Sequence, residues 1–291
     1  MNRSEFLYAG SLWIATTTLL PSIHRRMDPA RSSVRLGIVT DPHYAELSTW
    51  TTRHYRESLF KLSEAARFFD REQVDALLEL GDLVNGAEEN NERHAEVAEQ
   101  ALALFRGPRY HVLGNHDLDA LSKETFQSIV RNEGVPPMDT WYSTDIEGIR
   151  LIVLDACFKE DGTPYNAGNY HWQDTWIPRN QLDWLQKELD REKVPTIVAV
   201  HQCLSGDEAH RVKNAEEVRA LLSGSGQVLA VFQGHQHQGG HEQIDNIHYV
   251  TFQAVVEGSG ASENAYSIAE IRADGRIAIT GYRRATAYDL R

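Results

Sequence analysis

The sequence predicts an α/β fold with parallel βαβ units and a C-terminal antiparallel meander. Three observations carry that expectation. Short apolar runs rich in β-branched residues alternate with longer stretches whose apolar residues recur at helical spacing. The apolar runs that open both halves of the chain end on polar residues rather than on hairpin turns, as parallel strands feeding crossover helices do. Towards the C-terminus, apolar and polar residues alternate with the period of half-buried strands.

The elements follow in order. Val34-Arg35-Leu36-Gly37-Ile38-Val39-Thr40 is the first strand and ends at Asp41-Pro42-His43. A helix from about Tyr55 to Arg71 carries Leu59, Leu62, Ala66 and Phe69 on one face. The run 74–80 leads to Gly81-Asp82, and a second helix spans about Asn91 to Phe105. Tyr110-His111-Val112-Leu113 then ends at Gly114-Asn115-His116-Asp117. After a helix near Lys123 to Asn132, Trp141–Thr144 and Ile149–Asp155 form an antiparallel pair turned at Glu147-Gly148. Residues 156–178 form a long aromatic-rich insert with Tyr165, Tyr170, Trp172 and Trp176 and no clear period. A loop of that length in a compact domain is usually functional or disordered, and its aromatic content favours order. A helix over about Arg179 to Arg191 precedes Thr196–Val200, which ends at His201. Another near Ala215 to Leu222 precedes Val228–Gln233, which ends at Gly234-His235-Gln236-His237. The stretches 248–256, 266–272 and 276–282 supply the meander.

Composition sets outer limits. A hydrophobic content of 41% across 291 residues can bury a full core. Length leaves the domain count open; the pattern reads as one domain over residues 34–291. The net charge of -13 and the pI near 5.4 argue against a binder of nucleic acids or anionic membranes, which would need a basic face. Cys157 and Cys203 make no disulfide framework. Residues 1–30 read as a signal or leader: Arg3 precedes the apolar and hydroxyl-rich run Phe6–Leu20, followed by Pro21, Arg25 and Arg26. The run is short of the ~20 residues of a membrane span but suits a signal-peptide core. Asn2–Leu7 resembles a twin-arginine export motif with one arginine missing, so export to the periplasm or outside is expected, with the cytoplasm as the alternative.

Five strand ends carry metal-capable side chains: Asp41 with His43, Asp82, Asn115 with His116, His201, and His235 with His237. Singly, each has an ordinary explanation. An Asp after a strand usually caps a helix, and most of the 13 histidines, such as His24, His54 and His94, lack this context. The coincidence of oxygen and nitrogen donors at successive strand ends is what those explanations leave over. In open α/β sheets ligands bind beyond the strand C-termini.

Asp-x-His, Gly-Asp, Gly-Asn-His-Asp, a later His, and Gly-His-x-His in this order resemble the calcineurin-like metallophosphoesterases over about residues 34–285. Within that superfamily the chain is most similar to the manganese-dependent ADP-ribose/CDP-alcohol diphosphatases. Trp141-Tyr142-Ser143, Leu154-Asp155-Ala156, 180–185, 234–240 and Val255-Val256-Glu257 carry that finer likeness. The resemblance implies a four-layer β-sandwich flanked by helices and two divalent metal ions, Mn first, with Fe or Zn as alternatives. One ion would take Asp41, His43, Asp82 and His237; the other would take Asp82, Asn115, His201 and His235, with Asp82 bridging. Mixed imidazole and oxygen donors without thiolate suit such metals, and Cys203 is a buried bystander. Two ions ~3.5–4 Å apart clamp a phosphoryl displacement and activate water for in-line attack. His116 would stabilise the transition state or protonate the leaving oxygen.

The chain departs from this pattern at two positions. Asn85 stands where family members often carry the Asp that pairs with the catalytic His, which predicts a less basic His116. Gln202 stands where many have a second His. Asp117 reads as a cap for the segment that follows it. The expected reaction is hydrolysis of a phosphodiester or diphosphate bond in a small phosphorylated, nucleotide-linked substrate. A phosphomonoesterase or cyclic-nucleotide phosphodiesterase is the alternative, and a non-catalytic scaffold a more distant one. Tyr44, Tyr170 and Trp172 are the expected substrate contacts, with Trp50 beside them; no Arg or Lys cluster marks a pyrophosphate site, although Arg53, Arg179 and Lys213 could reach one. A self-packed loop core is the competing role for the insert's aromatics. The sequence leaves the oligomeric state open.

Overall fold

The computed structural model describes residues 33–86 and 89–291. The leader expected over residues 1–30 lies outside the described residues. Among those described, no helix is long and apolar enough to cross a membrane.

Two six-stranded sheets pack face to face. The first contains β1 (Ser33–Val39), β2 (Ala76–Glu79), β3 (Arg109–His111), β10 (Ala265–Arg272), β11 (Ile277–Arg283) and β12 (Tyr288–Leu290), in the order β12-β11-β10-β1-β2-β3. The second contains β4 (Tyr142–Ile146), β5 (Ile149–Val153), β6 (Thr196–Val200), β7 (Val228–Gln233), β8 (Gly240–Ile244) and β9 (Ile247–Thr251), in the order β4-β5-β6-β7-β9-β8. β1, β2 and β3 run parallel, as do β5, β6, β7 and β9.

The alternation of side chains explains why the strands read as continuous apolar runs. Leu36, Ile38, Ala76, Leu78, Ile197 and Ala199 face the core between the sheets. Their neighbours face outwards onto helices. Val39 and Leu77 meet α1 (Ser58–Glu72) and α2 (Asn91–Leu102) through Leu62, Ala66, Phe69 and Ala98. Val198 and Val200 meet α4 (Arg179–Asp190) and α5 (Ala215–Ser225) through Leu182, Leu185, Val218 and Leu222. Strands covered on both faces carry little polarity on either. The result is the expected four layers of helix, sheet, sheet and helix.

The ligand-bearing strand ends are divided between the two sheets; periodicity alone could not assign them, because these strands are buried on both faces. β8 is a strand the pattern did not reveal: its residues Gly-His-Glu-Gln-Ile are mostly exposed at a sheet edge, and it forms by hairpin pairing with β9. The turn residues Asp245 and Asn246 both have positive φ (51° and 63°), as a tight hairpin requires. The insert 156–178 has no helix or named strand. Its centre is Tyr165, fully buried, whose hydroxyl donates to the carbonyls of His171 (3.0 Å) and Asp174 (2.8 Å).

Candidate metal centre

The predicted ligand residues converge where the C-terminal ends of β1, β2 and β3 meet those of β6 and β7. Backbone hydrogen bonds hold the turns in register: Asp41 N–H donates to the Gly81 carbonyl (3.0 Å), and His43 N–H to that of Asp82 (2.8 Å). Gly114 is fixed by close approach, since a Cβ there would overlap the backbone nitrogen and Oδ1 of Asp82. Asp117 is no cap for the following segment. It is fully buried, and its carboxylate accepts from the N–H groups of Gly114 (2.9 Å), Asp82 (3.1 Å) and Val84 (3.1 Å). It thus ties the Gly-Asp turn to the Gly-Asn-His-Asp turn. Asp41, His43, Asp82 and His235 have φ of 51°, 46°, 56° and 67°. Non-glycine residues avoid that region, and such strain collects at functional sites.

Three overlapping groups of donor atoms form the centre: Asp41, His43 and His237; His43, Asp82 and His116; and Asp82, His201 and His235. His43 Nε2 lies 3.4 Å from Asp82 Oδ2, 3.7 Å from Asp41 Oδ1 and 3.2 Å from His237 Nε2. His201 Nε2 lies 3.1 Å from Asp82 Oδ2. Asp82 belongs to two of the groups, as a bridging carboxylate must.

The fit to cations rests on what these groups lack. Asp41 Oδ1, His201 Nε2, His235 Nε2 and both side-chain polar atoms of Asn115 are buried without a hydrogen-bond partner. Buried polar atoms are ordinarily paired, so such a concentration calls for an explanation. The far sides of two imidazoles are held as ligating histidines usually are. His201 Nδ1 meets the Leu80 carbonyl (2.8 Å), and His237 Nδ1 meets Glu257 Oε1 (2.7 Å). In the sequence Glu257 stands out only as a flanking residue. Burial holds the His43 ring down to about 4 and the His235 ring to about 3, the neutral form that binds metal. Against burial, His201 and the hydrogen bonds of His237 and His43 keep Asp41 well below the usual carboxylate range, and His201, His116 and His43 do the same for Asp82. Cys203 is buried beside the Gly234 carbonyl and belongs to none of the groups. Gln202 is buried, with its amide nitrogen towards the Cys157 sulfur (3.4 Å).

His116 has a carboxylate partner after all. Its Nδ1 lies 2.7 Å from Asp119 Oδ2, within the turn that follows Asn115. Burial favours the neutral ring, but the charge of Asp82 and the bond to Asp119 raise its pKa above the ordinary imidazole value. The less basic His116 expected from Asn85 is therefore corrected: Asp119 supplies the carboxylate that pairs with the ring. Tyr170 packs edge-on to His116 (6.1 Å between centroids), and burial and the Asp119 carboxylate push its phenol up.

Above the centre lies a cleft of about 370 Å³ lined by His43, Asp82, Asn115, His116, His235 and His237, with Trp50, Arg53, Trp172 and His210 around its rim. Of the expected substrate contacts, Trp172 lines this cleft, and Tyr170 touches His116 without being part of the lining. Tyr44 does not line it. It is buried in the helix-facing core, bonded through its hydroxyl to Glu46 (2.9 Å), because its backbone pairs with Val84 and turns the ring inwards. Arg53 lies over the Trp50 ring (5.5 Å). Arg179 and Lys213 are absent from the lining and are paired elsewhere, Arg179 with Asp183 and Glu217, Lys213 with Glu160 and Asp174. His210 had no strand-end context in the sequence. Only the Asp207-x-x-His210 spacing marks it.

Comparison with known proteins places the chain among metallophosphoesterase folds. Residues 34–239 match the family described as calcineurin-like phosphoesterase. The chain is 22% identical, over 76% of its length and 83% of the relative's, to a manganese-dependent ADP-ribose/CDP-alcohol diphosphatase of Oryza sativa subsp. japonica. To the Arabidopsis thaliana protein of the same name it is 22% identical over 87% of its length and 96% of the relative's. Its fold is similar to that of a dimetal phosphatase from Danio rerio, with a TM-score of 0.76 at 20% identity, covering 89% of this chain and 99% of that one.

Proposed function

The chain belongs to the calcineurin-like phosphoesterase family, and from that premise we propose a dinuclear phosphoesterase that hydrolyses a phosphodiester or diphosphate bond. The observation that carries this reading is the set of buried, unpartnered donor atoms around Asp82. Asp41, His43, Asp82 and His237 would hold one ion; Asp82, Asn115, His201 and His235 would hold the other. Manganese is the ion named for the similar plant proteins. When bound, such a pair activates water and neutralises charge on the phosphoryl oxygens.

The remaining roles fall to the chain's own groups. His116 meets the substrate through Nε2, because Nδ1 is engaged by Asp119. From there it gives a proton to the leaving oxygen. Arg53, on the rim, faces the outer phosphate of a diphosphate. Nucleoside diphosphate-linked alcohols or sugars suit a cleft that combines one cation with aromatic surface, and the names of the similar plant proteins favour them. The arginines and apolar run of residues 1–30 support export.

A panel of bis(p-nitrophenyl) phosphate, p-nitrophenyl phosphate and ADP-ribose with added Mn tests the reading. Turnover of the diester and of ADP-ribose is expected. Inertness on all three sinks the phosphoesterase assignment, and turnover of the monoester alone replaces it with a phosphomonoesterase.

A further inference from the structure

Asp207 and His210 form a second carboxylate–imidazole pair at the cleft, whose lining includes His210. His210 Nδ1 lies 2.8 Å and 2.9 Å from the two Asp207 oxygens. The same carboxylate accepts from the N–H groups of Ala209 (3.0 Å) and His210 (3.2 Å). The loop is pinned to the metal centre's own backbone, since Cys203 N–H donates to the His210 carbonyl (3.3 Å) and Val212 N–H to that of Cys203 (2.9 Å). The ring therefore has one orientation, with Nε2 as its outward nitrogen. His210 lies 5.5 Å from the His235 ring and 5.4 Å from the Trp172 ring, yet it belongs to no donor group among the described residues. Neither the core nor the metal centre accounts for it.

We propose that His210, oriented by Asp207, and Trp172 form a subsite for the ribose-bearing half of the substrate. With Nδ1 engaged by Asp207, Nε2 is the ring nitrogen left to meet a substrate, and a hydroxyl can pair with it as donor or as acceptor. Trp172, 38% exposed, supplies the apolar face that the ring of a nucleoside packs against. Arg53 also lines the cleft, over the Trp50 ring and 3.8 Å from Glu257, and its guanidinium suits an anion. Trp172 and His210, packed together, thus suit the nucleoside of a nucleotide-linked substrate, and Arg53 its outer phosphate. This inference rests on the phosphoesterase reading and adds which part of the substrate lies where.

The test compares kcat/KM for an adenosine diphosphate-linked sugar and its 2′,3′-dideoxy analogue, in the full chain with Mn. One hydrogen bond predicts a preference of about tenfold for the ribose form in the wild type. His210→Ala should bring the ratio to about one, His210→Gln should keep part of it through its amide oxygen, and Asp207→Asn should lower it a few-fold. A wild-type ratio near one overturns the subsite, as does a His210→Ala enzyme that keeps the full preference. Loss of bound Mn in His210→Ala also overturns it, by placing the imidazole among the metal ligands. Wild-type turnover of bis(p-nitrophenyl) phosphate separates the two levels. If the diester is cleaved while the ratio is one, only the subsite fails; if it is not cleaved, the phosphoesterase reading fails first.

Discussion

The floor and the rim of the cleft are built by different physics. Asp41, Asn115 and His201 on the floor are completely buried, each following a strand of one of the two sheets. On the rim, Trp50 is 60% exposed and Trp172 38%, and both sit on irregular segments. Floor positions are set by sheet register and by the Asp117 bonds that join two turns. Rim positions are set by local pairs such as Asp207–His210 and Trp50–Arg53. A floor substitution should therefore remove metal and reaction together, whereas a rim substitution should change which substrate is preferred.

The sharpest break of that contrast is Asp82→Asn. Replacing this carboxylate, shared by two of the donor groups, should cost about 10³-fold or more in diester turnover and abolish paired metal binding, read by metal analysis and kinetics. Turnover within tenfold of wild type would remove Asp82 from the floor's chemistry.

A smaller effect is expected at the boundary between floor and rim. Asp119→Asn should lower kcat by about 10–100-fold, the range for groups that orient a functional imidazole, with bound metal retained. The loss should be greater for alkyl than for p-nitrophenyl leaving groups, which need little protonation. Adding Asn85→Asp should restore part of it, because Gly86 beside it lies against Asp119 and the His116 carbonyl. Equal losses on both leaving groups, with no rescue, would make Asp119 merely structural.

The smallest effect lies behind the floor. His111 is buried between Glu79 (3.4 Å) and Glu99 (3.2 Å). Burial favours its neutral form, but the two carboxylates prevail and raise its pKa from 6.5 to about 9. A group with a raised folded-state pKa stabilises fully below its unfolded value and less as pH climbs to the folded one. Between pH 6.5 and 9 the wild-type Tm should thus fall by several degrees more than that of His111→Asn. Parallel Tm profiles would show that the buried pairings carry no net stability.

The same contrast explains what the sequence made legible. Floor residues follow buried strands, whose apolar runs are visible in sequence, so the positions of Asp41, Asp82, Asn115 and His201 at strand ends follow from the residue pattern alone. The division of those strands between two sheets was hidden because all of them are buried on both faces. Asp119 and Asp117 escaped correct assignment because their partners are fixed by a turn's three-dimensional course, not by spacing along a strand. His210 was invisible for a similar reason, being brought to the cleft by a loop pinned to Cys203. Tyr44 failed in the opposite direction: a place just past a strand-end turn carries no information about which way its ring points.

The central claim is that this floor is a two-ion centre, and counting ions tests it most directly. Purified protein saturated with Mn and freed of excess metal should retain two ions per chain. One ion per chain, or none, would contradict the dinuclear account.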